Sequence, residues 1–399
     1  MNKSYYSLGL MSGTSMDGVD ASVIQTDGKS DYRPILDKYF EYPPVIFKHL
    51  TKLRDKIKSS RDLKKFSKEI KNVEKEITLF HATAVNQILK KTKVNVNFIG
   101  FHGQTIYHND KEKITKQIGD GKLLSKITKK TVVYDFRQND LKNGGRGAPL
   151  APIFHNLIIA KNKMPLPVII LNIGGIANAT FIDVLGILHS RDIGPGNCLI
   201  DEWIRIKSKN ALKYDKNGSI AKSGKIKKKL MHKGLLEFEK INNLNYNPTF
   251  DIKDFDTSFV KNLSIKDGAA TLTEYTSIIL SMSLHIDAWN FTGYGPLKTV
   301  LITGGGRKNK FLINRIKKLR KRQARWAIKN EHDKIAIKSI DEYRDKYGIH
   351  CPNGIDGDFV ESQAFAYLAV RSYLKLPISF PETTGCKKPV TGGKIIKFK

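Results

Sequence analysis

The sequence is short of cysteine, of acidic residues and of long apolar runs, and each shortage removes a class of explanation. Three cysteines occur among 399 residues (Cys198, Cys351 and Cys386), widely spaced and without a Cys-x-x-Cys pair. That pattern excludes a disulfide framework and a structural zinc site, and reduced thiols are expected. No stretch is apolar enough for a secretory signal or a membrane span, so a cytoplasmic protein with no membrane partner is expected. Asp and Glu number 38 against 69 Lys and Arg, a formal net charge of +31. Such an excess suits nucleic acid, an acidic surface or small anionic substrates. The basic residues are mostly Lys, however, spread over helix-patterned stretches at 48–75, 225–240 and 308–329, without a recognised nucleic-acid module. They read as a solvated surface, with no nucleic-acid partner. The 40% hydrophobic and 27% charged residues are those of a folding chain, long enough for two domains.

What the sequence does have, near its start, is Met11-Ser12-Gly13-Thr14-Ser15-Met16-Asp17-Gly18-Val19-Asp20, set between two apolar runs. The runs read as strands and the stretch as a hairpin turn. Its glycines let backbone approach a ligand closely, and its amides and hydroxyls suit phosphate oxygens. Asp17 and Asp20 can hold a hydrated Mg²⁺ against those phosphates. No Gly-Lys-Ser/Thr follows, which excludes a Walker loop. A plain surface turn would have a similar composition.

Amphipathic helices follow at about 45–58 and 62–91. A strand over 94–101 then ends in His102-Gly103-Gln104-Thr105, and another over 131–136 ends in Arg137-Gln138-Asn139-Asp140. Polar side chains at carboxyl ends of strands are where open α/β sheets bind ligands. A guanidinium at Arg137 suits a bidentate grip on a carboxylate or phosphate. His102 could equally be a satisfied strand-end histidine, and Thr105 a local cap. After a helix over 148–161, residues 168–184 repeat the strand-turn-strand design around Asn172-Ile173-Gly174-Gly175-Ile176-Ala177-Asn178. A further strand runs to Arg191 and ends in Asp192-Ile193-Gly194-Pro195-Gly196-Asn197, where the acid alone could be an Asx-turn acceptor. Residues 207–262 are polar and Lys-rich, read as short helices and loops of a lid or insertion without chemistry of their own. A long helix (267–291) leads to a strand at 299–303, then Gly304-Gly305-Gly306 and a basic helix containing Asn309. Glycines between a strand and a helix admit a phosphate or an adenosine, or serve close packing. Glu361 lies in the first turn of a last helix (359–374), where an acid ordinarily partners the helix dipole.

Glycine-rich turns after strands, in two halves that each open with strand-turn-strand, predict a duplicated α/β fold holding a nucleotide in an interdomain cleft. This is the plan of the actin-like (ribonuclease H-like duplicated) sugar kinases. Over essentially its whole length the sequence resembles the anhydro-N-acetylmuramic acid kinase family. The resemblance rests on residues 11–20, His102 to Thr105, Asp135-Phe136-Arg137 with Gly144 to Leu150, Asn172 to Asn178, Asp192 to Asn197, Gly304 to Gly306 with Asn309, and Gly357 to Ala369. It implies an ATP- and Mg²⁺-dependent enzyme of peptidoglycan recycling that opens an anhydro amino sugar with water and phosphorylates it.

Carried over residue by residue, the resemblance implies that Gly13, Thr14, Ser15, Met16, Asp17, Gly18, Val19 and Asp20 hold the ATP phosphates. The metal would sit at Asp17 and Asp20 through water. Gly304, Gly305 and Asn309 would face the nucleotide, Arg137, Glu361, His102 and Thr105 would line the sugar site, and Asp192 would be the general base. The domains expected are 1–145 with 372–399, and 146–371; a homodimer is allowed. Two positions depart from the family's pattern: Ile193 stands where Thr is usual, and Glu361-Ser362 where Glu-Ala is usual. The alternatives are a kinase for another amino sugar and a catalytically silent actin-like scaffold, against which the intact Asp17, Asp20 and Asp192 argue.

Overall fold

The computed structural model describes residues 3–242, 250–291, 297, 299–326, 335–343 and 355–398. In chain order its strands are β1 (Tyr5–Ser12), β2 (Gly18–Thr26), β3 (Tyr32–Glu41), β4 (Phe98–Asn109), β5 (Ile114–Ile118), β6 (Thr131–Tyr134), β7 (Val168–Ile173), β8 (Ile176–Ile182), β9 (Leu188–Pro195), β10 (Thr299–Thr303), β11 (Ala336–Ser339) and β12 (Lys394–Ile396). The chain divides into two compact units, residues 1–164 with 351–399 and residues 165–350.

In the first unit the sheet order is β12-β6-β4-β1-β2-β3, with β5 paired to β4. β1, β2 and β3 form an antiparallel meander, and β4 and β6 lie parallel to β1 and to each other in turn. In the second unit the order is β11-β10-β7-β8-β9, again an antiparallel meander (β7 to β9) followed by strands parallel to its first member. Thus β6-β4-β1-β2-β3 and β11-β10-β7-β8-β9 match strand for strand in order and sense. This is the duplicated two-domain α/β fold that the two strand-turn-strand stretches predicted. The central strands are nearly continuous apolar runs because both faces are covered: every residue of β7 and all but one of β1 are buried.

Helices cover the first sheet through the periodicity visible in the sequence. The helix Ser67–Lys91 buries Ile70, Val73, Ile77, Val85 and Ile88 along one face. The expected helix over 62–91 is broken, because Ser60–Lys65 is a separate short helix, with Asp62 turned back to accept from the Ser59 N–H at 2.8 Å. The helix Val360–Tyr373 lies directly on β1 and β4. A side chain at Gly9 would run into the Ser362 carbonyl, and one at Gly100 into that of Phe365, so backbone meets backbone there. This packing puts the helix in the first unit, whereas the expected second domain extends to residue 371. Helix Pro152–Lys161 also belongs to the first unit, so the breaks fall at 164/165 and 350/351.

Two strands run further than the pattern implied. β4 continues to Asn109, so His102 to Thr105 lie inside a strand, kinked at Gly103 with φ +74°. β9 continues to Pro195, so Asp192 is also within its strand. Residues 207–262 are more than a polar insertion: among those described, Phe238, Phe250, Phe255, Phe259 and Val260 enter the core of the second unit. Cys198 and Cys386 are free and buried, as expected of reduced thiols, and Cys351 lies outside the described residues. Among the described residues no helix is long and apolar enough to cross a membrane.

Candidate active site

The β1–β2 turn is held from below. The Ser12 hydroxyl lies 2.6 Å from Gln104 Oε1 and 2.9 Å from the Gly18 carbonyl, and Tyr42 donates to Ser12 at 3.1 Å. Gln104 Nε2 donates to the Gly13 carbonyl at 3.1 Å, which fixes the start of the turn. Met16 adopts φ +57° and is 2% exposed, anchoring the middle in the core, while Thr14 and Ser15 face solvent. The two glycines differ in kind. At Gly18 a side chain would meet the Phe40 carbonyl and the Tyr39 ring, so close packing requires glycine. At Gly13 nothing lies within 4 Å of a Cβ position and φ is outside the left-handed region, so neither packing nor conformation requires it. Open space over a fixed backbone fits an approaching phosphate.

Asp17 accepts from the Ser15 hydroxyl at 2.5 Å. Burial first, then the charges of Asp17, Glu41 and Asp20, push the Tyr39 phenol well up. The charges of Asp17, Glu41 and Asp20 thus all act on the Tyr39 phenol beside the turn. No cluster of three or more His, Cys, Asp or Glu forms a metal cage among the described residues. Mg²⁺ does not need one, since it keeps several waters and binds through one or two carboxylates plus substrate phosphates.

Three of the four expected sugar-site residues come together in the same unit. Arg137 donates from Nε and Nη2 to His102 Nε2 at 3.2 and 3.0 Å, and from Nη1 to the Gly147 carbonyl at 2.8 Å. His102 Nε2 is therefore an acceptor, and the ring proton sits on Nδ1, which donates to the Gly103 carbonyl at 2.8 Å. Burial, and then the Arg137 charge, hold the His102 pKa well below its ordinary 6.5. His102 is thus a neutral prop for the guanidinium, packed against the Phe365 ring at 4.6 Å. Thr105 is engaged elsewhere, its hydroxyl accepting from Gln117 Nε2 at 3.2 Å.

Glu361 completes the group. Burial pushes its carboxyl up from 4.5, with the Arg137 charge pulling it partway back. An acid raised in the folded state adds stability that is intact below its unfolded value and lost as pH rises through the folded one. Glu361→Gln should therefore melt roughly a few degrees above the parent at about pH 7. The two should converge as pH falls towards 4.5. Thermal melts across that range test this, and a difference independent of pH would contradict it. The Ser362 departure is accommodated by a local partner, since its hydroxyl lies 2.6 Å from that of Ser22 on β2 and donates to the Phe359 carbonyl at 3.0 Å.

In the second unit the turns at the carboxyl ends of β7, β9 and β10 interlock. Gly196 N–H donates to the Gly175 carbonyl at 2.9 Å and Asn197 N–H to that of Gly174 at 2.8 Å. Gly304, at φ +76°, and Gly306 pack against Asn172 and Ile173. Gly305 has nothing within 4 Å of its Cβ position, and Gly174 only the Ile176 carbonyl at 3.4 Å; neither is in the left-handed region. Asn309 is a helix cap, its Oδ1 accepting from Leu312 N–H at 3.0 Å before the helix Lys310–Trp326. Asp192 Oδ2 accepts from the Phe250 N–H at 3.0 Å. The register slips just beyond it, where Ala177 pairs with Gly194 and Asn178 with Asp192, leaving Ile193 as the extra residue of a bulge. Ile193 is 1% exposed, in the core, so its apolar side chain has a packing role.

Comparison with known proteins agrees from end to end. A family model described as anhydro-N-acetylmuramic acid kinase matches residues 5–397. A protein of that name from Pelagibacter ubique (strain HTCC1062) is 50% identical over 399 residues, covering 100% of both chains. One from Agrobacterium fabrum is 36% identical over 98% of each chain. Another, from Zymomonas mobilis subsp. mobilis, is 38% identical over 97% of this chain and 98% of its own.

Proposed function

The chain belongs to the anhydro-N-acetylmuramic acid kinase family, and from that premise we propose how its residues serve an ATP-dependent kinase of peptidoglycan recycling. The reaction opens 1,6-anhydro-N-acetylmuramic acid with water and phosphorylates the freed 6-hydroxyl, giving N-acetylmuramic acid 6-phosphate and ADP, in the cytoplasm. When bound, ATP supplies the phosphoryl group and Mg²⁺ screens its charge. The backbone of residues 13–20 holds the phosphates, and Asp17 and Asp20 hold the metal through water. Gly304 and Gly305 face the nucleotide, with Asn309 fixing the helix that follows them. Arg137 grips the lactyl carboxylate of the sugar, propped by His102, and Glu361 lines the same site. Asp192 takes the proton of the water that attacks the anomeric carbon.

The observation that carries the phosphotransferase reading is the open space at Gly13 and Gly305, each following a strand where glycine is required by neither conformation nor packing. Incubation with ATP, Mg²⁺ and a panel of anhydro and open amino sugars tests it. Phosphosugar and ADP from the anhydro sugar are expected; ADP only with an open amino sugar would favour the other-sugar alternative.

Arg137→Ala should raise the KM for the sugar about ten- to a hundredfold, the loss of a hydrogen-bonded charge pair, with the KM for ATP unchanged. Steady-state kinetics against each substrate check this. A variant whose ATP affinity falls while its sugar affinity holds would contradict the assignment.

A further inference from the structure

The Arg137 guanidinium is fixed on one side by His102, and on another by a carbonyl that is itself held by a buried chain of contacts. The Gly147 carbonyl accepts from Arg137 Nη1 at 2.8 Å, while the Gly147 N–H donates to Asp140 Oδ2 at 2.6 Å. Asp140 is 1% exposed, and its other oxygen accepts from the Thr384 hydroxyl at 2.6 Å. Thr384 is 0% exposed and comes from the C-terminal segment, which is sewn to the same loop. There Arg146 N–H donates to the Thr384 carbonyl at 2.8 Å and Lys387 N–H to that of Asn143 at 3.2 Å. Gly145 allows this closeness, since a side chain there would collide with the Asp140 carboxylate.

We propose that Asp140 and Thr384 are positioning residues for Arg137, acting through the Gly147 carbonyl, so that the C-terminal segment sets the grip on the substrate's carboxylate. Gly147 sits at φ +76°, one of several conformations open to glycine, and so the direction of its carbonyl depends on what holds its N–H. A charged acceptor fixed by a buried hydroxyl is a strong anchor for that N–H. Without it the carbonyl turns away and Arg137 loses one of its props. The inference rests on the reading of Arg137 as the carboxylate's partner.

The test is steady-state kinetics and sugar binding by calorimetry on Asp140→Asn, Thr384→Val and Thr384→Ser, alone and in an Arg137→Ala background. Asp140→Asn and Thr384→Val should raise the KM and Kd for the sugar about tenfold, the effect of loosening one charge-assisted hydrogen bond, with kcat and the KM for ATP unchanged. Thr384→Ser keeps the hydroxyl and should restore parental values. In the Arg137→Ala background Asp140→Asn should add nothing to the sugar KM, which a merely structural role would not predict. Parental sugar KM in folded Asp140→Asn and Thr384→Val, beside a raised KM in Arg137→Ala, would overturn the relay alone. Parental sugar KM in Arg137→Ala itself would overturn the reading of Arg137 and the relay with it. Should Asp140→Asn fail to fold, Thr384→Val against Thr384→Ser decides the question.

Discussion

Asp192→Asn is expected to cut turnover by about 10²–10⁴ while sugar and ATP still bind, because on the proposed reading it preserves shape and removes the acceptor for a proton. Opening the anhydro bond needs a nucleophile on the anomeric carbon and an acceptor for the departing oxygen. The phosphoryl group can be that acceptor, so one carboxylate suffices to activate the water. Asp192 is built for constancy of position. It stands in the edge strand β9 just before the bulge at Ile193, and the Phe250 N–H holds one of its oxygens at 3.0 Å. Ile193 is locked in the core, and Gly194, at φ +154°, has no room for a side chain beside Ile279. The carboxylate is thus carried on a rigid element rather than a loose loop. The measurement is single turnover in labelled water. If the Asn variant incorporates solvent oxygen at the anomeric carbon at the parental rate, another group is the base, with Glu361 the next to replace.

The parts of this site that could be read from the sequence are those whose signal is local. Both hairpins were legible because Gly-rich turns flanked by apolar runs have few other solutions. Arg137, Glu361 and His102 stood out as polar groups beside strand or helix ends, and the structure brings all three together. Their roles were not equally legible. His102 is a ligand-binding candidate by position, but its tautomer and neutrality follow from the guanidinium, which lies 35 residues away.

What escaped has no local signature. Asp140 looks like a polar turn residue until Thr384, 244 residues later, buries it. The Phe250 N–H is a backbone donor, and any residue but proline offers one. The segment around it looks like a polar insertion because lysines outnumber its aromatics, and Phe250, Phe255 and Phe259, five and four residues apart, follow neither a helical nor a strand period. The strands through His102 and Asp192 run past the ends the sequence implies, because polar residues inside a strand look like its end and only cross-strand pairing shows otherwise.

Gly13 and Gly18 are likewise indistinguishable as letters, and their difference yields the second large effect. Gly13→Val should lower kcat/KM for ATP by about 10²-fold or more while the protein melts as the parent does. The branched side chain would enter the open space over the turn, where the phosphates would lie against backbone. The fold should not object, since nothing stands within 4 Å of the Cβ position and φ is outside the left-handed region. The turn itself should persist, because the Gly13 carbonyl is still gripped by Gln104 Nε2 and by Met16 N–H at 3.2 Å. Gly18→Ala supplies the contrast: its methyl would collide with the Phe40 carbonyl across β2 and β3, so the expected loss is of stability, at least about 1–3 kcal/mol. Melting curves and nucleotide kinetics on the two variants separate the cases. Unchanged ATP use in a folded Gly13→Val would place the phosphates elsewhere, because no bound phosphate could share that space with the added side chain.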